Sequence, residues 1–221
     1  MNRGEEGIGG GALADCRISN FTVCIIMLIG LTGMYCAGKN HVAALLERRG
    51  FAVLDVDKLG YIAIENKKAD IFTRFGKNIQ NQDGSVNRRQ LGEKVFGRKH
   101  ELSALEAIVH PEANRLTLEW IAAHNGKNCV INAALLHKSI IFAQLQSIIV
   151  VKSSLSIRLI RAKRRDKLPW IGIFRRFLSQ KQFSAQYLAE NADIYKVENS
   201  GIGKSRLERR IDAILSKLGA N

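Results

Sequence analysis

Lys39 closes the string Gly33-Met-Tyr-Cys-Ala-Gly38-Lys39, and Asn40 follows it. The spacing G-x-x-x-x-G-K lets consecutive backbone N–H groups curl around phosphate oxygens, while the lysine reaches the β- and γ-phosphates of a nucleotide. One position departs from that pattern: Asn40 stands where a serine or threonine hydroxyl ordinarily holds Mg²⁺. Gly33, Tyr35, Cys36, Ala37, Gly38, Lys39, Asn40 and His41 are therefore candidates for holding the phosphates of a nucleotide. The bland alternative is a glycine turn between a core strand and a helix, with Lys39 merely solvated. A second GKS string at Gly203-Lys204-Ser205 lacks the first glycine, since Glu198 stands there, and is expected to be a turn before the last helix.

Further along, Asp55 and Asp57 follow the short apolar run Phe51–Leu54. Carboxylates at the C-terminal end of a strand in a parallel α/β sheet lie where ligands bind. Asp57 is a candidate to accept a proton from a substrate hydroxyl or to help hold Mg²⁺; Asp55 divides between the same work and capping the next helix. His110, just before Pro111, is either a contact for an anionic group of a ligand or structural. The most basic stretch, Arg158-x-x-Arg161-x-Lys163-Arg164-Arg165, with Arg175-Arg176 beyond it, reads as a mobile cationic flap able to close over transferring phosphates.

These groups need elements to position them. Val23 to Leu31 is an apolar run long enough for one buried strand, and a helical pattern (Val42, Ala43, Leu45, Leu46) opens after Lys39. Cys129–Ala133 and Ser147–Val151 are two more unalternating strands of the parallel type, and Ala192–Val197 a short last one. Between Lys58 and His124 only helical stretches occur, broken at Asn81–Gly84 and around His110-Pro111, with Asn87 capping a helix over Arg88–Phe96. That is more than a single crossover requires and predicts an inserted helical lobe. Ser205 is expected to cap a closing amphipathic helix to Leu218. Residues 1–20 are glycine-rich, without periodic apolar pattern, and are expected to be disordered; Met27 is an alternative translation start.

At 221 residues, 46% hydrophobic and 24% charged, the chain has room for one full core with a small inserted lobe. Its 34 Lys+Arg against 20 Asp+Glu give +14, which calls for an anionic partner without choosing it. The basic stretch carries few interleaved aromatics and no nucleic-acid motif is present, so nucleic acid is not expected. Cys16, Cys24, Cys36 and Cys129 have neither zinc nor disulfide spacing, which fits a reducing cytoplasm. Arg17 before the run Phe21–Leu31 superficially resembles a secretory signal, yet cleavage near Gly38 would destroy the glycine loop; the run is also too short for a membrane span.

Taken in order, the motifs resemble those of the dephospho-CoA kinase family. They are Leu31-Thr-Gly33 through Gly38-Lys39, Leu54-Asp55-Val-Asp57, Phe75-Gly76, Asp83-Gly84 with Arg88, Leu91 and Val95-Phe96, Ile108-Val-His110-Pro111, Leu135-Leu136, Arg161-x-x-x-Arg165-Asp166, Ser179-Gln180, Ala192-Asp193 and Asn199-Ser200-Gly201. The resemblance implies an α/β fold: a three-layer P-loop kinase core with a five-stranded parallel sheet, an inserted helical lobe and a lid. The implied layout is a tail at 1–20, core at 21–57 and 125–221, a CoA-binding lobe at 58–124, and a basic lid at 155–180 within the core.

The resemblance also implies transfer of the ATP γ-phosphate to the ribose 3′-hydroxyl of dephospho-CoA with Mg²⁺, by a cytoplasmic monomer or weak oligomer. In that scheme Lys39 and the Tyr35–Asn40 backbone hold ATP, and Asp57 is the base. His110 lies in the CoA lobe, Arg161 and Arg165 act from the lid, and Asn40 and Asp57 are the metal candidates. Met34 and Cys36 stand where the family usually has glycine, and Ala134 and Lys138 where it has proline and glutamate. These departures leave two alternatives: a catalytically weak nucleotide- or CoA-binding relative with a regulatory role, or a P-loop kinase for another small hydroxyl substrate.

Overall fold

The computed structural model describes residues 14–18, 21–25, 27–166, 169–178, 192–200 and 204–220. The motif at Ser179-Gln180, the end of the expected lid and the turn at Gly201–Gly203 lie outside the described residues.

Ala14–Ile18 (β1) and Phe21–Ile25 (β2) pair antiparallel in a two-stranded sheet of their own. This corrects the disorder expected at residues 14–18; the rest of the expected tail, 1–13 and 19–20, lies outside the described residues. Ala14-Asp-Cys-Arg-Ile18 alternates apolar with polar residues, a strand period overshadowed by the glycine-rich composition before it. The single strand expected from Val23 is also two. Met27–Gly33 (β3) starts where its neighbour starts, with Met27 opposite Asn128, so residues 21–25 pair with β1 instead of the main sheet.

The main sheet is parallel and five-stranded. Besides β3 it contains Ala52–Asp55 (β4), Asn128–Asn132 (β5), Ser147–Lys152 (β6) and Asp193–Glu198 (β7), in the order β4-β5-β3-β6-β7. The chain leaves central β3 to one side for β4 and β5, then crosses to the other for β6 and β7. The loop after β3 therefore opens at the topological switch point, where ligands of such sheets bind.

Helices cover both faces. Lys39–Glu47 (α1) and the closing helix Lys204–Lys217 (α8) pack with Ile29, Leu31, Val130 and Ile149 on one face. On the other, Leu28, Cys129, Ile131 and Ile148 meet Ile121. The closing helix begins at Lys204, so Ser205 lies in its first turn and does not cap it.

Between β4 and β5 lie Val56–Asn66 (α2), Lys68–Phe75 (α3), Arg88–Val95 (α4) and Lys99–Ala123 (α5), around a separate cluster of Ala63, Ile71, Phe75, Ile79, Leu91 and Val109. Asn87 caps α4 as expected, accepting from Gln90 N–H. The expected break at His110-Pro111 is absent, and α5 runs straight through Pro111. One end of that helix packs in the lobe through Val109 and the other against the sheet through Ile121, so a break would separate two cores. The carbonyl that Pro111 leaves unpaired belongs to Ala107, which is exposed and open to water. Leu155–Asp166 (α6) and Trp170–Leu178 (α7) follow β6.

Candidate active site

Two contacts make the loop after β3 a glycine loop. A Cβ on Gly33 would meet the Val151 carbonyl at 2.8 Å, and Gly38 sits at φ 96° with its pro-Cβ position 2.1 Å from Asn199 Nδ2. Of the two residues that stand where the family usually has glycine, Met34 has no positive φ. Cys36 does: at φ 59° it is the one non-glycine residue with positive φ among the described residues.

The loop is locked from behind by residues late in the chain. Asn199, buried at the end of β7, donates from Nδ2 to the Ala37 carbonyl (3.1 Å) and accepts at Oδ1 from Arg161 Nη2 (3.2 Å). Arg161 Nη1 donates to the same Ala37 carbonyl (3.1 Å), and Arg158 Nε to the Tyr35 carbonyl (2.8 Å). With those carbonyls held backward, the loop can turn its N–H groups to the open side. Arg158 is thus a buried strut, not part of a mobile flap; its guanidinium lies 4.6 Å from the Phe177 ring centroid, and burial lowers its basicity.

On the open side is a cavity of about 660 Å³. Gly33, Tyr35, Cys36, Gly38, Lys39, Asn40, His41, Asp57, Arg161 and Arg165 all line it, so ten of the residues expected from sequence meet in one place. Ala37 is buried behind them. Met34, Ala134 and Arg164 also line it, having been named in the sequence only as departures from the family pattern or as part of the basic stretch.

The two aspartates part company. Asp55 caps α2, its Oδ1 accepting from Lys58 N–H at 3.3 Å. Asp57, in the first turn of that helix, points into the cavity; Oδ2 lies 2.7 Å from Lys39 Nζ and Oδ1 accepts from Ala134 N–H at 3.3 Å. Arg165 remains exposed, hydrogen-bonded to Asp166 and 5.1 Å from the Tyr35 ring centroid; the Tyr35 hydroxyl donates to the other Asp166 oxygen. The Cys36 thiol is pushed above its usual range by burial, with Asp166 adding to the effect and the three arginines opposing it.

His110 is exposed on α5 and does not line the cavity. It stands one turn beyond Glu106, which bonds Lys138 at 2.8 Å near the sheet's ligand edge. Lys138 therefore has a carboxylate partner on α5.

The oxygen donors near Lys39 suit a hard cation. Asn40 offers a side-chain carbonyl and Asp57 a carboxylate, and the buried Asn132 Oδ1 beside Asn40 has no hydrogen-bond partner. No cluster of three or more His, Cys, Asp or Glu able to hold a metal occurs among the described residues, so phosphate oxygens would have to complete the coordination. Asn132 was missed because a polar residue ending an apolar strand gives little sequence signal. Asn199 lay inside a quoted motif, but nothing local shows what it holds.

A family model described as dephospho-CoA kinase matches residues 27–203. The dephospho-CoA kinase of Treponema pallidum is 34% identical over 202 residues, covering 87% of this chain and 95% of that protein. Among solved structures, TT1252 from Thermus thermophilus superposes with a TM-score of 0.75 at 30% identity, covering 87% of this chain and 97% of that one. A dephospho-CoA kinase from Campylobacter jejuni shares the fold, with TM-score 0.59 at 21% identity over 86% of this chain and 96% of that one.

Proposed function

Since the chain belongs to the dephospho-CoA kinase family, we propose that its cavity transfers the γ-phosphoryl group of ATP to the ribose 3′-hydroxyl of dephospho-CoA. The observation that carries the site assignment is the convergence of Lys39 and Asp57, 2.7 Å apart, at the mouth of the glycine loop.

In this mechanism the loop N–H groups and the N-terminus of α1 receive the ATP phosphates, and Lys39 turns from Asp57 to the β- and γ-phosphate oxygens. Asp57, released, faces the acceptor. As the 3′-oxygen bonds to the γ-phosphorus, its proton passes to Asp57 and the bond from that phosphorus to the β,γ-bridging oxygen breaks, leaving ADP. Arg165 and Arg164, on the exposed side of the cavity, meet the charge spread over the transferring phosphoryl oxygens. Arg161 works chiefly by holding the loop, because its Nη1 and Nη2 donors are already engaged. His110, on the helix face of Glu106, meets anionic groups of the acceptor.

Mg²⁺ bound with ATP would be held by Asn40 and Asp57 together with phosphate oxygens, and supplies neutralisation of phosphate charge. ATP and dephospho-CoA are the partners, and the protein works in the cytoplasm as a monomer or weak oligomer. Free Cys36 and Cys129 support that compartment, and no helix among the described residues is long and apolar enough to cross a membrane.

The test is incubation with ATP, Mg²⁺ and a panel of hydroxyl acceptors including dephospho-CoA, with products identified by mass. Phosphorylated dephospho-CoA from the parent and none from Lys39→Ala is the expected result. Binding of both substrates without transfer would favour a non-catalytic relative, and transfer to another acceptor alone would replace the substrate.

A further inference from the structure

Among the described residues three side-chain oxygens are buried without a hydrogen-bond partner: Asn128 Oδ1, Asn132 Oδ1 and Ser147 Oγ. Asn128 and Ser147 open β5 and β6, at the sheet edge remote from the cavity. Asn132 closes β5 at the opposite edge, beside the glycine loop. It is 2% exposed, and its Nδ2 donates to Asn40 Oδ1 at 3.3 Å. A buried amide thus directs its donor at the residue that replaces the usual hydroxyl. The two asparagines also line a second cavity of about 350 Å³, and Asn40 lines the nucleotide cavity as well.

We propose that Asn132 is a positioning residue of the metal–nucleotide site: its Nδ2 orients the Asn40 carbonyl toward the metal, and its Oδ1 accepts a hydrogen bond from a metal-bound water. The inference deepens the kinase reading and rests on it. A side-chain carbonyl carries two lone pairs, so Asn40 Oδ1 can accept from Asn132 and still ligate. Asn40 is exposed, and without this tether its amide would rotate freely. Mg²⁺ keeps several of its waters, and each carries protons for an acceptor such as the otherwise costly Asn132 oxygen. Asparagine at 132 serves both ends of the contact; leucine would serve neither.

Partners that orient metal ligands typically change metal affinity by about 10–100-fold when removed. Calorimetric titration with a non-hydrolysable ATP analogue, in Mg²⁺ and again in EDTA, tests this on the parent, Asn132→Leu, Asn40→Ala and the double variant. The Mg²⁺-dependent gain in affinity should fall by roughly 10-fold or more in Asn132→Leu, with binding in EDTA unchanged. The double variant should lose less than the sum of the two single losses, because the part of Asn132's role that runs through Asn40 is then already gone. Should Asn132→Leu fail to melt cooperatively, the smaller polar Asn132→Ser takes its place. An equal loss with and without Mg²⁺, an unchanged Mg²⁺ gain, or additive losses would each overturn the proposal. A parent that binds the analogue with no Mg²⁺ gain overturns it alone, and a parent that binds no nucleotide overturns the kinase reading as well.

Discussion

Lys39 Nζ and Asp57 Oδ2 lie 2.7 Å apart, so the cation that we propose for phosphate and the carboxylate that we propose for the hydroxyl hold each other in the cavity. Lys39 is nearly enclosed, at 11% side-chain exposure, whereas Asp57 is open at 49%. A phosphate entering the loop competes with Asp57 for a cation that is already in place. In the proposed mechanism, binding the nucleotide is thereby coupled to freeing the group that acts on the acceptor.

Asp57→Asn should lower turnover by about 10²-fold or more through loss of the proton acceptor. Nucleotide affinity should be kept or raised, because Lys39 no longer has a competing carboxylate. Asp55→Ala should instead cost about 1 kcal/mol of stability through the lost helix cap. Steady-state rates, calorimetric ATP-analogue binding and thermal melts of both variants decide it, and the reverse pattern would exchange the two roles.

Gly38→Ala should cost at least tenfold in nucleotide affinity, an order-of-magnitude figure from the φ strain and the steric contact with Asn199 Nδ2 at 2.1 Å. Asn199→Ala should destabilise by roughly 1–3 kcal/mol, since the buried Ala37 carbonyl and Arg161 each lose a partner. Adding it to Gly38→Ala removes the clash but not the φ of 96°, so the double variant should recover only part of the affinity. Titrations and melts of all three provide the check, and a fully recovered double variant would make the clash alone responsible.

Cys36 lines the cavity with a thiol raised above its usual 9.0, first by burial. Its alkylation by iodoacetamide should be slow near neutrality and still accelerating at pH 9, because the thiolate is the reactive form. A nucleotide analogue at ~100 Kd should slow the reaction roughly 100-fold if binding covers the thiol. Cys129, buried with its thiol pushed up to about 11, should stay unmodified. Mass-resolved labelling follows both, and an unprotected Cys36 would put its thiol outside the nucleotide's footprint.

Glu112 anchors α5 to α2, bonded to Asn66 Nδ2 at 2.6 Å and to Arg115 at 2.7 Å. Those hydrogen bonds, from Arg115 first and then Asn66, hold its carboxyl at about 2, below its ordinary 4.5. A depressed folded value means the group adds stability that is complete above about pH 4.5 and lost as pH falls toward 2. The parent should therefore melt higher than Glu112→Gln at pH 5, with the difference shrinking toward pH 2. A constant difference across that range would show that Glu112 is not the titrating group.

The glycine loop and the parallel sheet were readable because both are local signals: a fixed glycine–lysine spacing, and strands apolar on both faces. Asp57 was readable for the same reason, standing just past a strand end. What sequence did not reveal depends on contacts between distant segments. Arg158, Arg161 and Arg165 were read as parts of one cationic flap, yet Arg158 and Arg161 turn to loop carbonyls and, of the three, Arg165 alone stays exposed. Pro111 looked like a helix end, since nothing near it reveals that two cores must be spanned. The strand at Ala14–Ile18 was hidden by the composition of its neighbours.

Asn199 reaches the Ala37 carbonyl from 162 residues further along the chain. At ~5–20 residues per second, a ribosome spends roughly 8–30 seconds between making the loop and making its lock. During that interval the nascent glycine segment can meet Arg158 and Arg161 but still lacks the Asn199 hydrogen bond that closes the lock. A growing chain therefore closes its glycine loop with this lock only after Asn199 has been added. Release before that codon would yield a fragment whose loop never receives it.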